Sequence, residues 1–535
     1  MKKSIFAFAA LALCATLSAQ NINQSVQVTN DYVTRFADFQ KQGGALQVPD
    51  SLYRFDYKFD YSVFDTPYKG AYEFSPYAIR VTPEARPYDG RTLYVRAGAG
   101  FTFHPQFELA WQALRREDLT LGVYAGAGGY AGKYRSAPGL DPFPGHDLNA
   151  HAGIAGQYLL PAARLSYQLG YEGISAGENG AQPAFRSGFN SVLLRAGAAS
   201  RERPGDHFFY DADFRFRHSG ERYDSVLNVD PAKEENLHLG VSGGPVLDGK
   251  YRILLDAAFD MDVLRLGRQT CNVNLVDLRP HVDFLLGPVR LDAGVRLDFG
   301  QPSAAGQFSL APDVSARLDL LDVDLSFFAG VSGGQSMQRL YDAKRLNHFA
   351  FASEASASIV RERLRVRAGL DGRWNSRLQY GLEAGYVSYA GRALASWYGV
   401  CPVDYSSVYA RAKLSWADER LAVDGNLGYE FLTLPDDVAA FAPPAYTMDV
   451  RGTYNWQRRI FAGAFLEAAS VRRALSPGLD DLGGYANLGL TGEYRIDRRW
   501  GAWAEAGNLL GMAIQRFPGY IEKGPYLTVG LTLSL

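Results

Sequence analysis

The sequence predicts an all-β fold, a large antiparallel transmembrane β-barrel of about 22–24 strands with a short N-terminal extension. Three observations predict it. Apolar and charged residues alternate with a period of two from about residue 91 to the last residue. The first residues read as an export leader. The connections between extended segments alternate between short and long, as one-sided elaboration of a barrel requires.

The alternation is visible in single segments. Phe208, Tyr210, Ala212, Phe214 and Phe216 share one face, and Asp211, Asp213, Arg215 and Arg217 the other. Val289, Leu291, Ala293, Val295, Leu297 and Phe299 face one way, and Arg290, Asp292, Arg296 and Asp298 the other. Successive strand side chains point to opposite faces, so each segment has one apolar and one charged face. In a soluble sandwich or propeller the apolar face points inward. In a membrane barrel it points to lipid and the polar face lines the lumen. Opposed charges on neighbouring segments favour the barrel. Asp277, Arg279, His281 and Asp283 lead through Gly287 to Arg290, Asp292, Arg296 and Asp298. Trp374, Trp397, Trp416, Trp456, Trp500 and Trp503 lie near segment ends, as an interfacial girdle would. The expected lipid-facing set is therefore Phe208, Phe214, Val282, Phe284, Val289, Leu291, Val295 and Leu297. The expected lumen-lining set is Asp211, Arg215, Asp277, Arg279, Asp283, Arg290, Asp292, Arg296, Arg365 and Arg367. These charges have two readings: they zip the sheet together, or they guide a solute.

Three regions follow in order. Residues 1–19 read as a signal peptide: Lys2 and Lys3, an apolar run from Ile5 to Leu13, and a cut after Ala19 that leaves Gln20 first. The rival is a lipoprotein signal acylating Cys14, against which Leu13 is large for its place. Residues 20–90 read as a periplasmic or lumen-inserted extension, since Pro83 and Pro87 oppose regular strands. Residues 91–535 read as the barrel. Its strands are expected at 92–102, 106–115, 118–127, 148–158, 162–173, 188–199, 207–219, 235–245 and 249–260, and then at 274–286, 289–299, 307–319, 321–331, 351–360, 363–374 and 377–389. The last group is 405–417, 420–431, 445–457, 460–471, 482–494, 499–508 and 524–535. That number is odd, so one more strand is expected around Arg392–Trp397. Gly287-Pro288, Asp418-Glu419, Arg458-Arg459 and Asp497-Arg498 read as tight turns, whereas 220–234, 261–273, 332–350, 432–444, 472–481 and 509–523 read as long connections.

The 535 residues carry a net charge of −2 with both signs interspersed, which leaves no basic footprint for nucleic acid. No stretch after the leader reaches the ~18 consecutive apolar residues of a membrane helix, which does not bear on barrel strands. Cys271 and Cys401 make no disulfide framework, but both fall in segments read as loops, which leaves a single bridge between them as an open alternative. No metal, phosphate-cradling or nucleophile motif is present, and no cofactor is expected. Gly98-Ala99-Gly100 and Gly126-Ala127-Gly128-Gly129 do not precede helices, so a dinucleotide reading fails. The histidines are scattered, with His104 and His151 able to meet across strands, and His207 and His218 at the ends of one segment. No nucleophile, base and orienter can be named together, so an enzyme is not expected.

The chain ends Thr528-Val529-Gly530-Leu531-Thr532-Leu533-Ser534-Leu535. This resembles the C-terminal targeting strand of bacterial outer-membrane barrels, with Thr528, Gly530, Leu533 and Leu535 at its pattern positions. It differs in ending on Leu535 rather than an aromatic residue. Asn508-Leu509-Leu510, Tyr520 and Gly524-Pro525-Tyr526-Leu527 are similar to the penultimate loop and final strand of barrels from Bacteroidota, of the TonB-dependent-receptor-like or putative porin kind. Phe59-Asp60-Tyr61-Ser62, Tyr72-Glu73-Phe74-Ser75-Pro76, Leu93–Gly100 and Ala440-Phe441-Ala442-Pro443-Pro444 resemble other elements of that group. The resemblance implies a cell outer-membrane location, with outer-membrane lipids and the barrel-assembly machinery as partners. It names no solute. TonB-dependent receptors carry a globular plug before the barrel. Residues 20–90 are too short for one, and no TonB-contacting motif is visible.

A barrel of this size without a plug leaves a wide hole, which the extension, inward-folded loops or a partner must fill. Two functions follow. The first is porin-like or receptor-like passage of a polar solute across the outer membrane. The second is a structural or assembly subunit of an outer-membrane complex, plugged by a partner such as an outer-membrane lipoprotein. Fold alone does not choose between them.

Overall fold

The computed structural model describes residues 92–535 except 102, 136–140, 179–185, 202–206, 224–229, 248–250, 302–307, 321–323, 376, 398 and 436. The expected leader and extension lie outside the described residues.

The strands are β1 (Leu93–Phe101), β2 (Gln106–Arg115), β3 (Leu119–Arg135), β4 (Phe143–Leu159), β5 (Ala163–Glu178), β6 (Arg186–Ser200), β7 (Phe208–Tyr223) and β8 (Ala232–Leu247). Next come β9 (Tyr251–Leu266), β10 (Gln269–Leu286), β11 (Val289–Gln301), β12 (Phe308–Leu320), β13 (Leu325–Gln338), β14 (Ser358–Trp374), β15 (Leu378–Ala395) and β16 (Val400–Ala417). The last are β17 (Leu421–Thr433), β18 (Tyr446–Trp456), β19 (Ile460–Ala469), β20 (Tyr485–Arg495), β21 (Trp500–Gly507), β22 (Ala513–Phe517), β23 (Tyr520–Lys523) and β24 (Tyr526–Ser534).

Each strand from β1 to β21 pairs antiparallel with its neighbour in sequence, β24 pairs with β21, and β1 pairs with β24. The result is a closed antiparallel barrel of 22 strands, an even number within the expected range. Closure satisfies the backbone groups that an open edge would leave bare. β22 and β23 form a hairpin outside the ring, within the β21–β24 connection, and β23 adds two bridges to the end of β3.

Tight turns join β10 to β11 and β16 to β17 at one end, as expected at Gly287-Pro288 and Asp418-Glu419. Gly287 has φ +59°, a conformation that other residues adopt at a cost. The opposite end carries the long connections. Three expectations are corrected there. The segment 261–273 is not a long connection, because β9 runs to Leu266 and β10 starts at Gln269. The alternation continues through it with its sides exchanged: Leu264, Val273 and Leu275 are buried inside, while Arg265 pairs with Glu235 on the outside. A pattern judged by apolar-out phase stops where that phase inverts. The extra strand at Arg392–Trp397 and the separate strand at 351–360 are absent. Arg392 belongs to the end of β15, beyond a register shift between Tyr389 and Arg392. Ser358–Val360 belongs to β14, which shifts register between Glu362 and Leu364. A bulge inserts a residue and resets the two-residue phase, which imitates a strand boundary in sequence.

The outer face is apolar and exposed, as at Phe208, Val241, Leu255, Val295, Leu382 and Leu490. The inner face is polar, with Asp262, Arg279, Asp298 and Asp313 buried. Trp374, Trp456 and Trp500 are exposed at the short-turn end, as a girdle requires. Two tryptophans leave that set. Trp503 turns inward, with the Arg96 guanidinium 3.9 Å from its ring centroid, and Trp397 packs on Phe441 at 6.2 Å. Cys271 and Cys401 each stand at the start of a strand, β10 and β16, rather than in a loop.

Candidate functional site

The β13–β14 connection carries a short helix, α1 (Leu340–Leu346), and folds into the lumen. A seven-residue helix is marginal alone, so its contacts with the wall hold it. Asp342 sits in its first turn and Lys344 and Arg345 in its last, which suits the helix dipole. The wall supplies the rest. Glu234 of β8 accepts the Leu340 N–H at 2.5 Å, capping the helix start. The Tyr341 hydroxyl donates to Glu172 of β5 at 2.6 Å, and Lys344 pairs with Glu221 of β7 at 2.5 Å. Burial pulls the Lys344 amine below its ordinary range, and the Glu221 carboxylate opposes that. Arg339 reaches Asp260 of β9 at 3.4 Å, and His348 lies 2.7 Å from Asp147 of β4. An apolar patch seals the same contact: Leu340, Met337 and Ile359 pack on Ile174, Phe189, Leu264, Val273 and Leu275. Burying each large aliphatic or aromatic side chain contributes about 1.5–3 kcal/mol.

The β22–β23 hairpin meets this loop from the other side. Phe349 stacks on Tyr520 with centroids 3.4 Å apart, and His348 packs on Phe517 at 4.6 Å. The lumen at the long-loop end is thus occupied by elements of this chain.

Below the loop, the charges expected on the lumen face are brought together on the inner wall. Arg279 of β10 reaches Asp256 of β9 at 3.2 Å, Asp292 of β11 at 3.1 Å and Asp313 of β12 at 2.5 Å. His281 joins the same group, 3.3 Å from Asp256 and 3.0 Å from Asp292. Arg296 pairs with Asp277 and with Asp298, the latter at 3.0 Å. Asp283 and Arg290 pair at 2.6 Å near the short-turn end. Arg365 holds Glu362 at 2.7 Å and the Tyr389 hydroxyl at 2.6 Å. Arg367 lies 6.0 Å from the Phe328 ring, and Arg215 neighbours Asp213 and Asp260. Asp211 stands opposite Ser242 on β8. This network ties adjacent strands, which is the sheet-zipping reading of these charges. His104 stacks on Tyr526 at 4.2 Å and His151 lies 6.3 Å from Tyr124, so each sits against a tyrosine ring.

A cavity of about 360 Å³ lies between α1, the end of β15, the segment Phe441–Pro444, Arg472 and β22. Arg345, Arg392, Arg472 and Arg516 line it with Tyr405, Tyr485, Phe441 and Phe517, and Asp342 is its acidic lining residue. Arg516 is held by Glu467 at 3.2 Å and Glu522 at 3.3 Å. Arg472 donates to the carbonyl oxygens of Arg516, at 2.9 Å, and of Gln515. Arg345 donates to the Tyr341 hydroxyl at 2.9 Å, and Arg392 lies 4.8 Å from the Tyr389 ring. Sequence reasoning missed this set. Arg345, Arg472 and Arg516 lie off the barrel strands, where no periodicity marks a face.

The final strand closes the ring. Thr528 and Gly530 face inward, and Leu527, Val529, Leu531 and Leu535 are exposed outside, with Leu533 in the same outer row. A side chain at Gly530 would fall 2.1 Å from the Ala97 carbonyl oxygen and 2.6 Å from the Trp503 ring.

No protein-family profile matches the chain. No curated protein matches its sequence. Solved structures do resemble it. A mutant ferric enterobactin receptor, PfeA, from Pseudomonas aeruginosa aligns at a TM-score of 0.58 and 12% identity, over 83% of this chain and 80% of that one. The copper transporter OprC aligns at 0.59 and 14%, over 83% and 80%. The ferric-catecholate import receptor Fiu from K12 E. coli aligns at 0.59 and 10%, over 83% and 82%. At such identities the likeness is one of fold: this chain is built on the large barrel that those receptors and that transporter share.

Proposed function

We propose that this chain is an outer-membrane barrel for receptor-like passage of a polar solute, with the short turns in the periplasm and the long loops outside. One observation carries the reading: a closed ring, apolar outside and charged inside, has its lumen filled at the long-loop end by its own β13–β14 connection. A tethered, ion-paired loop across the lumen restricts free passage through the ring. A receptor needs the hole closed until solute is bound, and an internal loop contributes to that closure. The structural neighbours are described as receptors or transporters for ferric enterobactin, ferric catecholates and copper, which supports the uptake reading over a purely structural one. The lumen charges then serve the wall first and the solute second.

Fractionation and topology test this together. The protein should co-sediment with outer membranes and migrate faster before boiling than after. A cysteine placed at Leu479, in the β19–β20 connection, should react with a membrane-impermeant thiol reagent on intact cells. A cysteine at Gly287 should react only after the outer membrane is opened. Recovery in the soluble fraction, or the opposite labelling order, would end the reading.

A further inference from the structure

We propose that the cavity between α1 and the end of β15 binds a small solute bearing two or more oxyanion groups, carboxylate or phosphate. The proposal deepens the passage reading and rests on it, because the cavity lies at the long-loop end. Arg345, Arg392 and Arg472 line one small space, and among the described residues none has a carboxylate within ion-pair distance. The wall behaves differently. Arg279, Arg296 and Arg365 each hold a carboxylate at short range. Arg516 is already balanced by Glu467 and Glu522, and Asp342 offsets only part of the other three guanidinium groups, so the space carries an excess of positive charge that an anion bound among them would balance.

The donor chemistry narrows the solute. A guanidinium presents a planar fork that matches carboxylate and phosphate oxygens in pairs. Arg392 has no hydrogen-bond acceptor among the described residues and rests on the Tyr389 ring, so its fork is free to take one. Arg345 has one nitrogen committed to Tyr341 and donors to spare. Arg472 is fixed on two backbone carbonyls, which holds its positive charge at the cavity wall. Tyr405 and Phe441 give the space an apolar side. At ~30 Å³ per water-sized group, 360 Å³ holds about a dozen non-hydrogen atoms. The site therefore suits a compact anion with a short carbon or phosphoanhydride frame.

The test is calorimetric titration of the full chain in detergent with citrate, with inorganic pyrophosphate, and with maltose as the neutral control, at low salt. Citrate, pyrophosphate or both should saturate one site, and whichever binds identifies the carboxylate or phosphate source. Arg392→Gln and Arg345→Gln should each weaken that binding at least tenfold, and Arg392→Lys should retain more of it than Arg392→Gln. Arg290→Gln, at the exposed short-turn end, should bind as the parent does. Unchanged heat-modifiable migration shows that each variant is folded. Absence of saturable anion binding, binding in the two glutamine variants as tight as in the parent, or maltose binding as tight as the anions' would overturn the proposal. Any of these with correct outer-membrane fractionation and loop labelling counts against the anion site alone. Failure of fractionation counts against the passage reading instead.

Discussion

The Lys344 ammonium lies 2.5 Å from the Glu221 carboxylate, with side-chain exposures of 1% and 0%. The pair joins the inserted loop to the barrel wall where neither charge reaches water. Removing one partner of a buried pair leaves the other uncompensated, at a cost of roughly 3–5 kcal/mol. Lys344→Ala should therefore release the loop while the ring of strands survives. Limited proteolysis should then cut within residues 339–357, with heat-modifiable migration unchanged. The double variant Lys344→Met, Glu221→Leu should resist cleavage better than either single change, because it leaves no orphaned charge. Equal protease resistance of Lys344→Ala and the parent would show that the pair does not hold the loop.

The closure between β24 and β1 depends on a close approach at Gly530. Its place under Trp503 leaves no room for a side chain. Gly530→Val should lower the temperature at which the folded band disappears on semi-native gels, by the ~1–3 kcal/mol of overpacking. A Trp503→Ala background should lessen the loss, since part of the clash is with the indole. Full stability of Gly530→Val would contradict the described closure.

The two faces differ in what they tolerate. Val241 is 59% exposed on the outer face, midway along β8. Val241→Arg should cost roughly 2–4 kcal/mol in the membrane and reduce the folded fraction. Its inner-face neighbour Ser242 bonds to Asp256 at 2.5 Å, and Ser242→Ala should cost only about 0.5–1.5 kcal/mol. Folding into lipid vesicles, followed by denaturant titration, checks both. Comparable losses at the two positions would mean that the outer face is not solvated by lipid.

Leu533 and Leu535 continue the outer row of the last strand. Replacing both with Asp should cause accumulation in the periplasm or degradation, whereas Phe at both should insert normally. Much of the damage should come from lost recognition by the assembly machinery, because Leu535 lies at the strand end. Normal outer-membrane levels of the Asp variant would leave the terminal alternation as an ordinary strand.

Much of the ring was legible because its physics is local. A strand between lipid and water must alternate, so segments such as Phe208–Phe216 and Val289–Phe299 declare themselves residue by residue. The pairing of Asp277, Arg279, Asp283, Arg290, Asp292 and Arg296 was legible for the same reason, since opposed charges recur across a tight turn. What escaped lies where that alternation changes meaning. The β9–β10 turn was hidden because Leu264 and Val273 turn inward to receive the loop. The bulges beside Arg392 and Leu364 reset the phase and imitated strand boundaries. The inward path of 339–357 left no periodic mark, because Lys344 and Arg345 read as solvated charges until Glu221 and Glu172 are placed opposite them. The arginine cavity escaped with it, being assembled from separate connections that only the closed ring brings together.

The direct test of the central claim is conductance in planar bilayers of the full chain against a variant in which residues 339–357 are replaced by a short glycine-serine linker. The parent should be silent or show only small steps, because its own loop occupies the lumen. The linker variant should show large, discrete openings. Large openings in the parent, or no gain in conductance from the linker, would contradict occlusion by this loop.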